Sequence, residues 1–333
     1  SEDKTMIQIA IIGLGEIGTS LGLALKYQKD EIYRVGMDVH KYATDNASEK
    51  GAVDRVSRNL LDAVKEADIV FLAIPAHEVE DTLELIGHEL KKDAAVLDTC
   101  PTKSAAINWA KKSMTQPDHF LGIYPSINPA YLSEPSNEFH SAHEDLFQSG
   151  TLYLAPSTDT EPAVVKLASD LGTLIGAHSA FIDPAELDGL LAAAYDLPLL
   201  LSNALMSTLL NQNSWEDCRK LAVKEFVQET DFCAFPYTGK EFTEILSENR
   251  ENTLRILNDF IVNLKTYRDA IQNRDRAALS SLYEKAEKGR EKWLKDYEEG
   301  AWRKEKDQKL NVPTAGEMMG QMFLGGLGRK KKE

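Results

Sequence analysis

The sequence predicts an α/β chain in two parts, a parallel sheet flanked by helices over residues 1–182 and an all-helical part over residues 183–300. Two observations lead to this. Between residues 7 and 98 short β-branched runs alternate with longer amphipathic stretches, the pattern of successive βαβ units. Beyond Asp183-Pro184 the β-branched runs vanish and helical spacing takes over.

The elements follow in order. Strands are expected at 7–12, 33–37, 69–73 and 95–97, then at 120–123 and 151–155, where Pro156 stops the run, and last at 180–182. Helices are expected between them at 17–27, 42–50, 60–66, 79–90, 104–113 and 163–174. The second part opens with Asp183 as N-cap and Pro184 at the first helical position. Leu187, Leu190, Leu191 and Ala194 then mark one face, and Pro198 is expected to bend or break the element. Apolar side chains at 242, 245, 246, 254, 257, 261, 264 and 271 form a stripe of nearly helical period, followed by another at 279, 282, 286, 293 and 297. Helices this apolar in a part this small complete their burial against a second subunit, so a homodimer is expected. Residues 301–333 read as a charged connector and a Gly/Met-rich tail ending in the basic run 329–332, where a solvated tail is the expectation.

Composition narrows the function classes. With 38 Lys+Arg against 53 Asp+Glu, the net charge of −15 repels a polyanion from most of the surface, so no nucleic acid is expected as partner. Cys100, Cys218 and Cys233 are widely spaced and odd in number, which suits reduced thiols in a cytoplasmic protein and gives no metal spacing. The first residues are charged with no apolar core of a signal, and no run is expected to reach the ~18 apolar residues of a membrane span. No metal is expected either: His140 and His143 are the one pairable set of histidines, and no third ligand joins them.

The segment Gly13-Leu14-Gly15-Glu16-Ile17-Gly18 places Gly-x-Gly-x-x-Gly between a buried strand and an amphipathic helix. Gly13 permits the tight turn, Gly15 lets a diphosphate approach the backbone, and Gly18 lets helix and strand pack closely. Glu16 and Ile17 bring helix N–H groups to the phosphates. Asp38, at the end of the second strand, can accept both ribose hydroxyls and repels a 2′-phosphate, which favours NAD; His40 and Lys41 soften that preference and leave NADP open. Ala73-Ile74-Pro75, at the end of a further strand, would run along the adenosine side, and Thr99 follows the next strand end. The first part therefore reads as a Rossmann dinucleotide-binding domain.

Together these residues resemble the prephenate/arogenate dehydrogenase family of tyrosine biosynthesis. The likeness rests on Gly-Leu-Gly-Glu-Ile-Gly-Thr-Ser-Leu-Gly-Leu-Ala-Leu from Gly13, on Ala-Asp-Ile-Val-Phe-Leu-Ala-Ile-Pro from Ala67, on Asp98 and Lys103, and on Asp183-Pro184-Ala-Glu-Leu-Asp-Gly-Leu-Leu and Asp196-Leu197-Pro198 in the second half. It implies a Rossmann domain followed by a helical dimerisation domain. It also implies oxidation of a ring hydroxyl, with hydride passing to the nicotinamide, a base taking the hydroxyl proton and CO2 leaving as the ring becomes aromatic.

Several substrate-side positions depart from the family. Its His-Pro is here Tyr124-Pro125, its Gly-Ser-Val-Lys is Cys100-Pro101-Thr102-Lys103, its His-Asp pair is Leu187-Asp188, and its His-Leu-Pro-His is Asp196-Leu197-Pro198-Leu199. The family's arginine-bearing segment aligns with Thr230-Asp231-Phe232-Cys233-Ala234, which holds no cation to clamp a carboxylate. The candidate catalytic residues implied are Tyr124, Asn128, Lys103, Asp188 and Asp196. Against each stands a structural role: Tyr124 as a packed aromatic, Lys103 as a helix cap, Asn128 as a turn former, the two aspartates as capping or surface groups. Three functions stay open: a prephenate- or arogenate-oxidising enzyme, a dehydrogenase of the same fold acting on another small hydroxy or amino acid, and a dinucleotide-binding homologue without catalysis.

Overall fold

The computed structural model describes residues 6–28, 30–134, 141–234 and 238–300; His140 and the expected tail lie outside these. Eight strands form one sheet: β1 (Ile7–Ile12), β2 (Ile32–Met37), β3 (Arg55–Val56), β4 (Ile69–Leu72), β5 (Ala95–Asp98), β6 (Phe120–Pro125), β7 (Thr151–Ala155) and β8 (His178–Phe181). Their order is β3-β2-β1-β4-β5-β6-β7-β8, which contains the 3-2-1-4-5-6 order of a doubly wound dinucleotide fold. Helices α1 (Glu16–Ala24), α2 (Lys41–Glu49), α3 (Leu60–Val64), α4 (Ala76–Ile86), α5 (Lys103–Ser113) and α6 (Pro162–Leu174) connect the strands. Central strands β4 and β5 are buried at every residue, as continuous apolar runs in a sheet covered on both faces must be.

Two features depart from the expected strands and their all-parallel pairing. The two-residue β3 is too short to carry a periodic signal. The β6–β7 pairing is antiparallel, with Tyr124 opposite Tyr153. Ser126 holds that reversal: its N–H donates to the Thr151 carbonyl at 2.8 Å, and its Oγ accepts the Thr151 N–H at 2.7 Å.

A fully buried arginine braces the nucleotide half from beneath. Arg34 on β2 donates from Nη1 to the Gly22 carbonyl at 2.7 Å and pairs through Nη2 with Asp54 at 2.7 Å. It ties the end of α1 to the loop before β3, and each charged group keeps a partner.

The chain divides into two compact units, the first ending at Leu187 and the second starting at Asp188. The division thus falls within helix α7 (Pro184–Leu191) and not at the preceding strand end. The second unit continues with α8 (Leu197–Leu210), the short α9 (Trp215–Cys218) and α10 (Lys224–Glu229), then α11 (Gly239–Glu248), α12 (Arg250–Gln272) and α13 (Arg276–Glu298). The expected stripe from 242 to 271 is therefore two helices that meet at Asn249.

Pro198 does not break the chain as expected. Lacking an N–H to return to the preceding turn, it is accommodated by a π-type turn over Ala192–Asp196 before α8 resumes. The result is one helical run, Pro184–Leu210, of 27 residues with an 18-residue window of mean hydropathy 1.4, long and apolar enough by length and composition to cross a membrane. This corrects the expectation that no run reaches that length. The run carries Asp188 and Asp196, both buried, and such carboxylates are costly in hydrocarbon.

Candidate functional site

The glycine turn follows β1 directly. Gly13 adopts φ +91°, and a Cβ there would lie 2.2 Å from the Ala73 carbonyl oxygen, so only glycine lets β1 and the end of β4 approach this closely. A Cβ on Gly18 would lie 1.9 Å from the Gly13 carbonyl oxygen. Gly15 is the N-cap of α1 and no side chain caps that end, which leaves its first N–H groups and the positive end of the helix dipole to an anion. Glu16, Ile17 and Gly18 form the first turn.

Asp38 stands across this turn. One carboxylate oxygen accepts the Leu14 N–H at 2.8 Å, and the other accepts the His40 N–H at 2.7 Å with the His40 ring Nδ1 at 3.2 Å. A cleft of about 380 Å³ opens here. Among the sequence candidates Gly13, Gly15, Asp38, His40, Ala73, Ile74 and Pro75 line it. Thr99 does not; its N–H and Oγ1 both reach the Leu72 carbonyl, each at 3.0 Å. The opposite wall comes from Leu60, Asp81, Thr82 and Leu85 on α3 and α4, which sequence reading missed. Leu85 is a large apolar side chain left 62% exposed on its helix, a feature that only the structure shows. Lys41 turns to Asp45 at 2.5 Å and away from the cleft.

Lys103 proves to be fully buried. Its ammonium donates to the Asp98 carbonyl at 3.0 Å and to the Cys100 carbonyl, with the Asp98 carboxylate at 3.9 Å. The stem crosses Gly122 of β6, where a Cβ would sit 2.8 Å from the Lys103 Cδ. Burial also raises the Cys100 thiol well above its ordinary value, with the Asp98 charge adding to the effect. Asn128 is engaged by its own turn: Oδ1 accepts the Ala130 N–H at 3.1 Å and Nδ2 donates to the Asp145 carbonyl at 3.2 Å. Tyr124 lies half-buried near the end of β6.

Beyond β6 the chain builds a second polar group. The Tyr131 and His143 rings stack at 3.9 Å and 5°. The His143 Nε2 lies 2.9 Å from a Glu134 oxygen, and the Tyr131 hydroxyl donates to Asp145 at 2.5 Å, which pushes its pKa up to about 12. Burial raises the pKa of Glu16, against a hydrogen bond from Ser141 and the nearby His143. No cluster of metal-ligating residues occurs among the described residues.

In the helical unit Asp196 ends the π turn, 1% exposed. Its Oδ2 accepts from Asn249 Nδ2 at 2.7 Å and Thr253 Oγ1 at 3.0 Å, while its Oδ1 is buried without a partner. Burial pushes this carboxyl up to about 6, with the Asp188 charge adding to the rise and the two hydrogen bonds opposing it. Asn249 also donates to the Asp188 carbonyl at 2.9 Å, so Asp188 and Asp196 are joined through one amide. Residues 231–233 form a short 3-10 turn.

Sheet order, glycine turn and the acid opposite it define a Rossmann-type dinucleotide-binding protein. Comparison with known proteins carries this to a family. The family model described as prephenate dehydrogenase, nucleotide-binding domain, matches residues 21–181. Cyclohexadienyl dehydrogenase of Zymomonas mobilis is 27% identical over 284 residues, 85% of this chain and 94% of that protein. Prephenate dehydrogenase of Bacillus subtilis is 23% identical over 88% of this chain and 75% of its own length. Among solved structures, prephenate dehydrogenase of A. aeolicus in complex with hydroxyphenyl propionate and NAD+ superposes with a TM-score of 0.72 at 20% identity, covering 87% of this chain and 99% of that one. Synechocystis arogenate dehydrogenase gives 0.63 at 23% identity, covering 86% and 100%; at these identities both likenesses bear on the fold. Residues 21–181 thus match the nucleotide-binding domain of the prephenate dehydrogenase family, and the chain as a whole is similar to its members.

Proposed function

We propose that this chain is an NAD-dependent dehydrogenase that oxidises prephenate, arogenate or a close cyclohexadienyl analogue toward tyrosine. The observation that carries the reading is the pairing of an uncapped helix end at Gly15 with the Asp38 carboxylate on one cleft. Gly13, Gly15 and the first N–H groups of α1 hold the diphosphate, and Asp38 receives the adenosine ribose. The crowding at Gly13 fits this assignment, because a side chain there would displace the turn from Ala73. Bound in this cleft, the nicotinamide supplies the hydride acceptor. NADP is a weaker alternative, since Asp38 disfavours a 2′-phosphate.

On the sheet unit, Tyr124 is the proposed acceptor of the substrate hydroxyl proton, and Asn128 and Lys103 hold the end of β6 and the end of β5 in place. On the helical unit, Asp188 and Asp196 are proposed to hold and move a proton, Asp196 being the better suited with a carboxyl that titrates near the operating pH. The apolar side chains exposed on α12 and α13, among them Ile261, Leu264, Ile271 and Trp293, support a homodimer built on the helical unit. The same exposure accounts for the apolar run Pro184–Leu210 without a membrane, and a cytoplasmic enzyme is the proposed setting.

A second reading, a dehydrogenase of this fold acting on another small hydroxy or amino acid, is favoured by the absence of any cation within residues 230–234. The test is NADH formation by the purified protein with prephenate and with arogenate, alongside calorimetric NAD+ binding. Turnover of either compound supports the first reading. Binding of NAD+ with turnover of neither removes it.

A further inference from the structure

We infer that Asp81 reads the base of the dinucleotide: its carboxylate accepts the exocyclic amino group of an adenine seated beyond Asp38, so the cleft takes an adenine dinucleotide and disfavours one with a 6-oxo purine. The inference rests on the dinucleotide reading above and adds to it the residue that selects the base.

The placement follows from the covalent order of the ligand. With the diphosphate at Gly15 and the ribose at Asp38, the base comes next, and the walls left for it are those that α3 and α4 bring to the cleft. Leu60 and Leu85 line that part, and Leu85 stands 62% exposed. A flat ring laid against such side chains removes apolar surface of both from water.

One face of α4 turns toward this space. Glu78, Asp81, Thr82 and Leu85 all line the cleft, and a helix carries residues at these spacings on a single side. Three carboxylates therefore border a site read as holding a diphosphate, and two of them already have partners. Asp38 accepts the Leu14 and His40 N–H groups. Glu78 meets His77 Nε2 at 3.7 Å. Asp81 makes no hydrogen bond or ion pair with any of the described residues.

An ionised carboxylate only accepts hydrogen bonds, and beside a diphosphate it repels the ligand unless that ligand brings it a donor. Adenine brings one. Its amino group carries N–H donors at the position where a 6-oxo purine presents a carbonyl oxygen. A carboxylate opposite that oxygen sets two acceptors against each other, and a site built on a hydrogen bond rejects the analogue that lacks the donor.

Titration calorimetry of the full chain with NAD+ and with nicotinamide hypoxanthine dinucleotide tests this, since the second has an oxygen in place of the amino group and a proton on the adjacent ring nitrogen. The wild type should bind NAD+ about three- to tenfold more tightly. Asp81→Ala should bind the two within about twofold of each other, through weaker binding of NAD+. Asp81→Asn, whose amide both donates and accepts, should gain affinity for the hypoxanthine compound. Asp81 is exposed on α4, so neither change opens the core, and far-UV circular dichroism checks the fold. A merely structural Asp81 would weaken both ligands alike in Asp81→Ala and leave their ratio where it was. That result overturns the inference, as does a wild type that binds the two equally or prefers the hypoxanthine compound. A wild type that binds neither would instead remove the dinucleotide reading itself.

Discussion

The Asp38 carboxylate accepts the Leu14 N–H at 2.8 Å, so the acid at the end of β2 also pins the glycine turn after β1. One side chain thereby sets the shape of the turn and supplies the acceptor for a ribose. Asp38→Asn should weaken NAD+ binding by about tenfold, through loss of a charge-assisted contact of about 1.5 kcal/mol, and narrow its preference over NADP+. Competition binding with the two oxidised coenzymes measures both effects; an unchanged preference would detach Asp38 from cofactor choice.

Gly13→Ala places a methyl group 2.2 Å from a backbone carbonyl at φ +91°. The conformational strain alone is roughly 1–3 kcal/mol, and the clash requires β1 and the end of β4 to separate. The expected outcome is a folded but less stable protein with NAD+ binding lost, read by thermal unfolding with and without the coenzyme.

Arg34→Ala should be the more damaging change in the sheet unit. It leaves Asp54 without its guanidinium and the Gly22 carbonyl without its donor, and breaking a buried pair of this kind costs roughly 3–5 kcal/mol. Urea unfolding of the variant should show a lower midpoint while the wild-type slope is retained.

Asp196 links the helical unit to pH. Its carboxyl is raised to about 6 in the fold from an ordinary 3.8, so the folded state binds the proton more tightly than the unfolded chain. The stabilisation is therefore fully present below the ordinary value and is lost as pH rises through about 6. Asp196→Asn should remove that dependence, flattening the midpoint temperature between these two pH values. A variant as pH-sensitive as the wild type would place the titration elsewhere.

If the helical unit forms the subunit contact, a charge on its apolar face should open it. Leu264→Asp, at a side chain 49% exposed in the single chain, should shift the protein from dimer to monomer in size-exclusion chromatography with light scattering. A wild type that is itself monomeric would remove the homodimer proposal.

The parts of this protein legible in its sequence are those made by local spacing. Gly13, Gly15 and Gly18 announce a turn between strand and helix because each answers a steric demand within a few residues of itself. Sequential βαβ units announce the sheet for the same reason. Lys103 and Asn128 show the limit. Their types and places suggested substrate contacts, yet Lys103 is drawn under Gly122 and Asn128 closes its own turn. Neither fate is written in spacing, since both depend on which backbone groups of distant segments lack a partner.

Taken alone, the sequence determined the sheet, its glycine-rich bend, the acid facing that bend and the change to helices near residue 182, because periodicity and glycine sterics act over short stretches of chain. Tertiary structure alone decided the antiparallel return of β7, the wall of the cleft from α3 and α4, and the raised carboxyl of Asp196. Each of these arises from burial or charge between residues far apart in the chain, and no window of sequence contains both partners.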